Sequence, residues 1–370
     1  MILDGSLGVT FNDASLQPAA ASPYGLKNKI INGAMVIDQR NAGASLTQST
    51  SHQFAVDRTF GIGGVAGKFT MQQSSTAPTG FTKSLLVTST SSYSVPSGDL
   101  YLIGQSIEGF NIADLDWGTA NAKTVTLSFW VRSSLTGTFG GAIGNAGWLS
   151  NTRSYPFSYT ISSANTWEQK SITIAGDTTG TWATNNTTGL TVSFGLGVGT
   201  SSSATAGAWI GSNVLAPTGA TSVVGTNAAT WYVTGVQLEV GSTATPFERR
   251  LYGQELALCQ RYLPAFNGMT DSFVGIAGST SSIVVPIPFA VPVRTPPTGI
   301  TASTASHFQI WNLKSSIGNA TAVAFSSGGT DGGRLSVSFT AGSPTTATGD
   351  AVLFNTNNAS AQILFTGCEL

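Results

Sequence analysis

The chain has 370 residues, of which 41% are hydrophobic but only 9% are charged, and its formal net charge is −1. Soluble globular chains typically contain about 25% charged residues, so neutral polar side chains must provide the solubility, and this composition favours short strands and turns over long helices. The length suits two domains, and the lack of any Lys/Arg run longer than a pair argues against nucleic acid as a partner.

The N-terminal segment, residues 1–28, is rich in Gly, Ser, Ala and Pro, with turn-forming pairs at Asp4-Gly5 and Asn12-Asp13. This composition predicts a tether or docking piece. The segment has neither the charged start nor the apolar core of a signal peptide, and no run of about 18 apolar residues occurs that could cross a bilayer. We therefore expect no export signal and no membrane insertion.

Residues 29–245 show a hydrophobic pattern of period two, which predicts β-strands separated by turns. The clearest run extends from Lys123 to Arg132 and predicts a core-facing side made of Val125, Leu127, Phe129 and Val131, with Thr126, Ser128, Trp130 and Arg132 on the other side. Similar runs occur at 157–161, 190–198 and 232–240; in the last, Tyr232, Thr234, Val236, Leu238 and Val240 are predicted to share one face. We expect a jelly-roll-like β-sandwich of two antiparallel sheets.

One connector helix is predicted over residues 246–263. An apolar stripe at helical spacing is formed by Tyr252, Leu256, Cys259 and Leu263. The segment from Thr245 to Glu248 resembles a capping box with proline at the first helical position, and Pro264 ends the pattern. A later start, near Gly253, is the alternative.

Residues 264–370 return to short strand patterns, which predict a second, smaller β-sandwich. One run contains Pro286, Pro288 and Pro292 and is therefore expected to be an edge or bulged strand. The fold class predicted for the whole chain is all-β, with a jelly-roll-like β-sandwich followed by a short connector helix and a second, smaller β-sandwich. The two cysteines, Cys259 and Cys368, are expected to be buried reduced thiols.

Side chains that could carry catalysis are scarce. The two histidines, His52 and His307, do not occur at the spacing of a metal site. Asp114 and Asp116 would share a face on a strand, as a carboxylate pair or a calcium site requires. Glycosidase carboxylates normally face each other across a cleft, however, and a solvated loop explains this pair more simply. We therefore expect a protein that is not an enzyme and needs no cofactor.

Eight tryptophans stand out in so polar a chain, several of them beside Gly, Ser or Asn. A flat aromatic face can stack on a sugar, with amides and guanidinium groups nearby for its hydroxyls. The same rings can instead fill the end of a sandwich, and both readings remain open for each tryptophan. The candidate glycan-binding residues are Trp130, Arg132, Trp148, Trp182, Trp209, His307 and Trp311.

Two segments resemble bacteriophage tail-fibre and related virion surface proteins. Residues 28–40 read NKIINGAMVIDQR and are similar to the start of a domain common in these proteins. Residues 234–241 read TGVQLEVG and, with TPFERR at 245–250 and ELALCQRY at 255–262, resemble the closing strand and connector of the same domain. The resemblance thus brackets residues 28–263.

The resemblance implies a jelly-roll similar to carbohydrate-binding modules, often held in a homotrimer. Many such modules place an acidic calcium ligand in the last strand, where this chain has Thr234-Gly235. This departure argues against calcium, for which Glu239, further along the strand, would be a weak substitute; the calcium candidates are Asp114, Asp116 and Glu239.

The expected function is that of a phage tail fibre or similar appendage, which binds bacterial surface polysaccharide through several weak sites at once. Its N-terminal segment would contact other tail or capsid proteins, and the protein would be assembled in the host cytoplasm and end in the virion. A purely structural fibre or decoration protein is the alternative, and a polysaccharide depolymerase or glycosidase is a third.

Overall fold

The computed structural model describes residues 27–147, 149–268, 273–312 and 316–370, together with the backbone of three short strands before residue 27. These three strands form an antiparallel sheet: β1 (Ile2–Asp4), β2 (Gly8–Thr10) and β3 (Leu16–Gln17). Strands dominate the rest of the described chain, and one α-helix connects two β domains. The all-β prediction is confirmed.

The first domain is a sandwich of two six-stranded antiparallel sheets. Its strands are β4 (Leu46–Thr47), β5 (Gln53–Val56), β6 (Thr59–Gly63), β7 (Phe69–Ser74), β8 (Ser84–Ser89), β9 (Leu100–Glu108), β10 (Val125–Ser133), β11 (Gly137–Gly144), β12 (Ser154–Ile161), β13 (Glu168–Ile174), β14 (Thr188–Val198), β15 (Ser203–Ala204), β16 (Ala216–Pro217) and β17 (Thr230–Val240). Sheet I has the order β13-β10-β17-β8-β7-β4, and sheet II has the order β12-β11-β14-β9-β6-β5. Strands β15 and β16 form a separate parallel pair.

The hydrophobic core lies between the two sheets. In β10, apolar side chains alternate with polar ones, so the apolar side chains all point into this core. Its four predicted core residues, Val125, Leu127, Phe129 and Val131, are fully buried. From β10 of sheet I, Phe129 packs edge-on against Phe194 from β14 of sheet II, with ring centroids 5.0 Å apart. Since burying a large apolar side chain contributes about 1.5–3 kcal/mol, this interlayer packing is the main force that holds the sandwich together.

The two sheets differ in what covers their outer faces. Every residue of β9 in sheet II is buried, because a second apolar cluster, which includes Phe60, Leu102 and Leu215, packs on that sheet's outer face. Edge strand β13 of sheet I instead alternates between exposed and more buried residues. Part of the outer face of sheet I is therefore open to solvent, around the half-buried Trp130, Arg132 and Tyr232, and the site described below lies there.

The connector helix α1 (Tyr252–Gln260) is shorter than the predicted 246–263. The predicted capping box does not cap it, because the carboxylate of Glu248 accepts hydrogen bonds from the backbone amides of Lys27 and Asn28 instead. The helix begins next to the alternative start at Gly253. Cys259 in the predicted stripe is fully buried, whereas Tyr252 is 65% exposed.

The second domain is built on a closed barrel. Its strands are β18 (Ala265–Asn267), β19 (Phe273–Ala277), β20 (Ser282–Pro288), β21 (Gly299–Ala302), β22 (Phe308–Asn312), β23 (Ser316–Gly328), β24 (Gly332–Phe339), β25 (Ala351–Thr356) and β26 (Gln362–Thr366). Six strands close in the order β19-β20-β24-β23-β22-β25, and β18-β26-β21 form a three-stranded sheet. The structure thus refines the predicted second sandwich: its strands hydrogen-bond around a ring instead of forming two open layers.

The proline-rich strand β20 has one full neighbour and one partial neighbour. It pairs along its whole length with β24, but only Val284 and Ile283 pair with β19. Pro286 and Pro288 lie beyond this short pairing, where no β19 partner needs their missing amide hydrogens. Half of β20 is therefore an edge, as the prolines indicated.

Buried ion pairs join the two domains. Glu108 at the end of β9 accepts two hydrogen bonds from Arg261, at 2.6 and 2.9 Å, and one from the Tyr262 hydroxyl at 2.7 Å. Burial alone would raise the pKa of Glu108, but these bonds outweigh it and hold the pKa below its usual value. Glu369, near the end of the chain, binds both Arg40 and Arg58 of the first domain. The junction is therefore specified by charge as well as by packing.

Both cysteines are buried and unbridged, as predicted. Burial raises the pKa of the Cys368 thiol to about 11 and that of Cys259 well above its usual value, so both are protonated at neutral pH. Over the described residues, no helix has the length and apolar character needed to cross a membrane.

Candidate functional site

The outer face of sheet I carries a row of three side chains across adjacent strands. On β10, Arg132 lies opposite Tyr232 of β17, and its guanidinium group stacks over the tyrosine ring at 5.2 Å from the centroid. Trp167, just before β13, packs edge-on against the same tyrosine with centroids 6.0 Å apart. All three side chains are half-buried, so each keeps an accessible face.

A second aromatic group lies further along the same face. Phe81 and Phe247 pack edge-on with centroids 5.2 Å apart, and the guanidinium group of Arg249 lies over both rings, at 4.8 and 5.8 Å. Trp130 joins this group through Gly235, where an added Cβ would lie 2.7 Å from Phe81 and 3.2 Å from Trp130. We call these seven residues the sheet-face band: Phe81, Trp130, Arg132, Trp167, Tyr232, Phe247 and Arg249.

A hydroxyl-rich cleft opens beside one end of the sheet-face band. It has a volume of about 550 Å³. Its hydroxyl-bearing lining residues are Ser134, Thr136, Thr221, Ser222 and Thr226. Ala164 also lines it and precedes Asn165, whose carbonyl accepts a 2.9 Å hydrogen bond from Arg132 Nε. The cleft and the band therefore adjoin, and together they offer aromatic faces, cations and hydroxyls.

Two of the predicted glycan-binding residues lie in a packing cluster instead. Trp182 and Trp209 meet Trp117 in a three-ring cluster whose centroids are 4.6 to 5.5 Å apart. Their indole N–H groups donate to the backbone carbonyls of Thr179 and Ala175, and Trp182 is 7% exposed. These rings fill one end of the sandwich, where Trp182 has little open face left and Trp209 is half-buried.

The remaining predicted site residues are separated from the band. His307 and Trp311 belong to the second domain, where His307 Nδ1 is 3.2 Å from the Ser303 hydroxyl and Trp311 is 43% exposed on the outside of the barrel. Trp148 lies outside the described residues. Of the predicted residues that the structure describes, Trp130 and Arg132 are therefore the two that belong to the band.

Trp311 belongs to an apolar stripe that crosses the barrel. It lies opposite Ile317 on β23 and Leu353 on β25, and Leu353 lies opposite Val274 on β19. We define the barrel stripe as Val274, Ile276, Val284, Trp311, Ile317 and Leu353. Apart from Leu353, which is half-buried, these side chains are 36 to 62% exposed.

The three calcium candidates do not converge. Asp114 pairs with Lys29 at 2.7 Å, and Asp116 pairs with Lys123 at 3.1 Å. They lie in and just after a 3-10 turn, not on a strand. Glu239 accepts hydrogen bonds from the backbone amide and hydroxyl of Thr245, at 2.9 and 2.6 Å. No group of three potential metal-binding side chains occurs within the described part of the chain.

Tyr232 is the band residue that the sequence pattern placed wrongly. Alternation predicted it on the same face as Val236 and Leu238, but the register between β10 and β17 shifts between Ser128 and Trp130. Gly235 adopts a left-handed conformation there, with φ of +62°. Since one extra residue in a bulge reverses the alternation, Tyr232 faces out while Val236 and Leu238 face in. A glycine inside a strand pattern is the sequence signal for such a bulge.

Neither protein-family models nor curated proteins match this chain. Among solved structures, a family 11 carbohydrate-binding module from Clostridium thermocellum has 10% identity, with 55% of this chain and 100% of that chain covered at a TM-score of 0.28. A xylan-binding family 22 module from Paenibacillus barcinonensis has 10% identity, with 55% and 99% covered at a TM-score of 0.28.

The enzymatically active domain of tailspike protein 4 from bacteriophage CBA120 has 12% identity and a TM-score of 0.27. The alignment covers 58% of this chain and only 22% of that chain. Identities and TM-scores this low place no constraint on what this chain binds.

Proposed function

We propose that this protein is a non-enzymatic adhesin of a virion, such as a phage tail fibre, and that it binds bacterial surface polysaccharide through the sheet-face band. The observation that carries the proposal is the band itself: aromatic rings and guanidinium groups are gathered on the open face of the first domain.

The chemistry of the band suits a sugar polymer. Trp167 and Tyr232 offer apolar ring faces for stacking, while Arg132 and the adjoining hydroxyl-rich cleft offer hydrogen bonds for sugar hydroxyls. An open sheet face has no end wall, so a long chain can pass across it. Catalysis has weaker support, because Asp114 and Asp116 are ion-paired with lysines on one surface instead of facing each other across a cleft.

Multivalency would raise the overall binding affinity of such a shallow site. A single site of millimolar affinity corresponds to only about −4 kcal/mol, and linked copies gain orders of magnitude when they bind together. We therefore propose a homotrimer whose subunits contact one another through the barrel stripe, since contiguous exposed apolar patches usually mark an interface. The N-terminal segment would attach the assembly to other virion proteins.

The test is adsorption of labelled protein to bacterial cells and to polysaccharide extracted from them, before and after periodate oxidation. Replacing Trp167 and Tyr232 together by Ala should weaken saturable binding about tenfold or more, because two stacking partners worth about 1 kcal/mol each are removed. Tyr252→Ala is the matched control, since this exposed tyrosine lies on helix α1 and outside the band.

Equal binding by the double variant and the wild type would contradict the proposed site. A folded protein that binds no surface polysaccharide would point to the purely structural virion component. Shortening of the polysaccharide chains during incubation would point to the depolymerase.

A further inference from the structure

The two arginines of the sheet-face band differ from the other arginines of the first domain and the connector. Arg40, Arg58, Arg153, Arg250 and Arg261 all form ion pairs with carboxylates of this chain. By contrast, Arg132 and Arg249 have no carboxylate within 4 Å among the described residues, although both lie within reach of solvent. Two guanidinium groups in one band are thus left without an anion.

Both guanidinium groups are nevertheless held in place. Arg132 donates Nε to the Asn165 carbonyl and stacks on Tyr232, which leaves both of its Nη groups for another acceptor. Arg249 donates from Nη2 to the Gly80 carbonyl and stacks on Phe81 and Phe247, which leaves Nε and Nη1. A fixed guanidinium fork loses little entropy when it binds a carboxylate, so these side chains are prepared for one.

Neighbouring acids do not neutralise this face. Glu239 also lies on the outer side of sheet I, but it is only 2% exposed and its carboxylate is held by Thr245. Glu168, at the start of edge strand β13, is held by Lys170 and by the backbone amides of Ser162 and Ser163. The accessible charge of the sheet-face band is therefore positive.

We propose that the polymer bound by the sheet-face band is an acidic polysaccharide, whose sugars carry carboxylate groups. One carboxylate accepts hydrogen bonds from the Nη groups of Arg132 while a sugar ring stacks on Trp167 or Tyr232, and a second carboxylate further along the polymer meets Arg249. This inference rests on the proposed function and specifies its ligand class.

The experiment compares charged and neutral forms of the same polymers. Polygalacturonate, alginate and hyaluronan would each be tested beside a carboxyl-reduced sample of matched length, with binding to the full-length protein measured by calorimetry at low and high salt. We expect the wild type to prefer the acidic form about tenfold or more, since a charged hydrogen bond contributes about 1.5–3 kcal/mol. This preference should shrink as salt screens the charges.

Variants assign the preference to particular side chains. Arg132→Gln should remove most of this preference: affinity for the acidic polymer should fall about fivefold or more beyond any fall in affinity for the carboxyl-reduced polymer, because only the acidic form loses a charged hydrogen bond. Arg132→Lys should restore only part of it, since lysine keeps the charge but not the fork. Arg334→Gln is the matched control: Arg334 is an exposed arginine of the barrel, far along the chain from the band.

The outcomes separate the two proposals. Equal affinity for acidic and reduced polymers, or an unchanged preference in Arg132→Gln, overturns the acidic ligand while leaving glycan binding intact. Binding to none of the six polymers by a protein with the wild-type circular dichroism spectrum overturns the acidic ligand, whereas the absence of saturable adsorption to bacterial cells overturns the proposed function. Preference for the acidic forms that is lost in Arg132→Gln and kept in Arg334→Gln supports the inference.

Discussion

At the scale of single residues, arginine has two different roles in this chain. Arg58 is 2% exposed, pairs with Glu369 and stacks at 3.7 Å over the Tyr262 ring, so its charge is used inside the protein. Arg132 also stacks on a tyrosine, but its remaining donors face outward. The difference lies in the carboxylate, which the chain supplies in the first case and leaves to a ligand in the second.

A buried carboxylate at the domain junction should make stability depend on pH. Burial raises the pKa of Asp57 from 3.8 to about 6, and the charge of Arg40 offsets only part of this shift. Between these two pH values the native state binds a proton that the unfolded chain has released. The contribution of Asp57 to the free energy of unfolding should therefore be largest below about pH 4 and be lost as the pH rises to about 6 and beyond, by on the order of 2–3 kcal/mol.

Asp57→Asn isolates this contribution, because the amide keeps the shape of the side chain and does not titrate. Urea unfolding of both proteins at pH 4, 5, 6 and 7 should show the wild type losing stability relative to the variant as the pH rises. A difference between the two that is the same at every pH would show that Asp57 titrates normally.

At the scale of secondary-structure elements, one bulge in β17 determines the character of the open face. Gly235 supplies the extra residue and the positive φ, and both Phe81 and Trp130 close over the space where a side chain would be. The bulge therefore has two effects. It turns Tyr232 outward beside Arg132, and it leaves space at Gly235 against which Phe81 and Trp130 pack.

Replacing Gly235 by Ala should destabilise the first domain by about 2–4 kcal/mol, because the left-handed backbone conformation costs about 1 kcal/mol and the methyl group displaces Phe81. Gly67→Ala is the matched control, since its φ is +75° but nothing lies within 4 Å of the added methyl group. Urea unfolding measures both. Equal losses in the two variants would mean that the contact between Phe81 and Gly235 contributes nothing to stability.

At the scale of the whole molecule, the two domains are joined firmly and present different surfaces. Glu108 and Glu369 tie the first domain to the connector and to the chain end through Arg261, Arg40 and Arg58. The first domain then exposes an aromatic and cationic face, and the second exposes the apolar barrel stripe. A rigid junction would hold the proposed binding face at a fixed angle to the proposed subunit interface.

The self-association proposal predicts that Trp311→Lys converts a trimer into monomers at micromolar concentration. The charged ammonium group of the lysine would be buried against the apolar surfaces of the other two subunits. In addition, loss of a central aromatic contact weakens the free energy of association by about 2 kcal/mol or more. Thr301→Lys on β21, another exposed strand position, is the matched control. Light scattering gives the mass of each variant, and a monomeric wild type or a trimeric Trp311→Lys would refute the interface.

The sequence by itself determined the features that depend on local periodicity. Alternation in β10 identified its core side chains, helical spacing identified the connector, and the low charge with many turn residues indicated an all-β chain. Prolines in β20 indicated a partial edge, because a proline has no amide hydrogen to donate to a neighbouring strand, whatever the tertiary structure.

Only the tertiary structure decided which aromatic residues meet. Phe81, Trp130, Trp167, Tyr232 and Arg249 come from distant parts of the chain, and strand order and register bring them to one face. One bulge reversed the direction of Tyr232, and packing at the sandwich end brought Trp182 and Trp209 into a separate cluster with Trp117. Local pattern fixes the period of a strand, but the face on which a side chain lies depends on long-range pairing, and a one-residue shift in register reverses it.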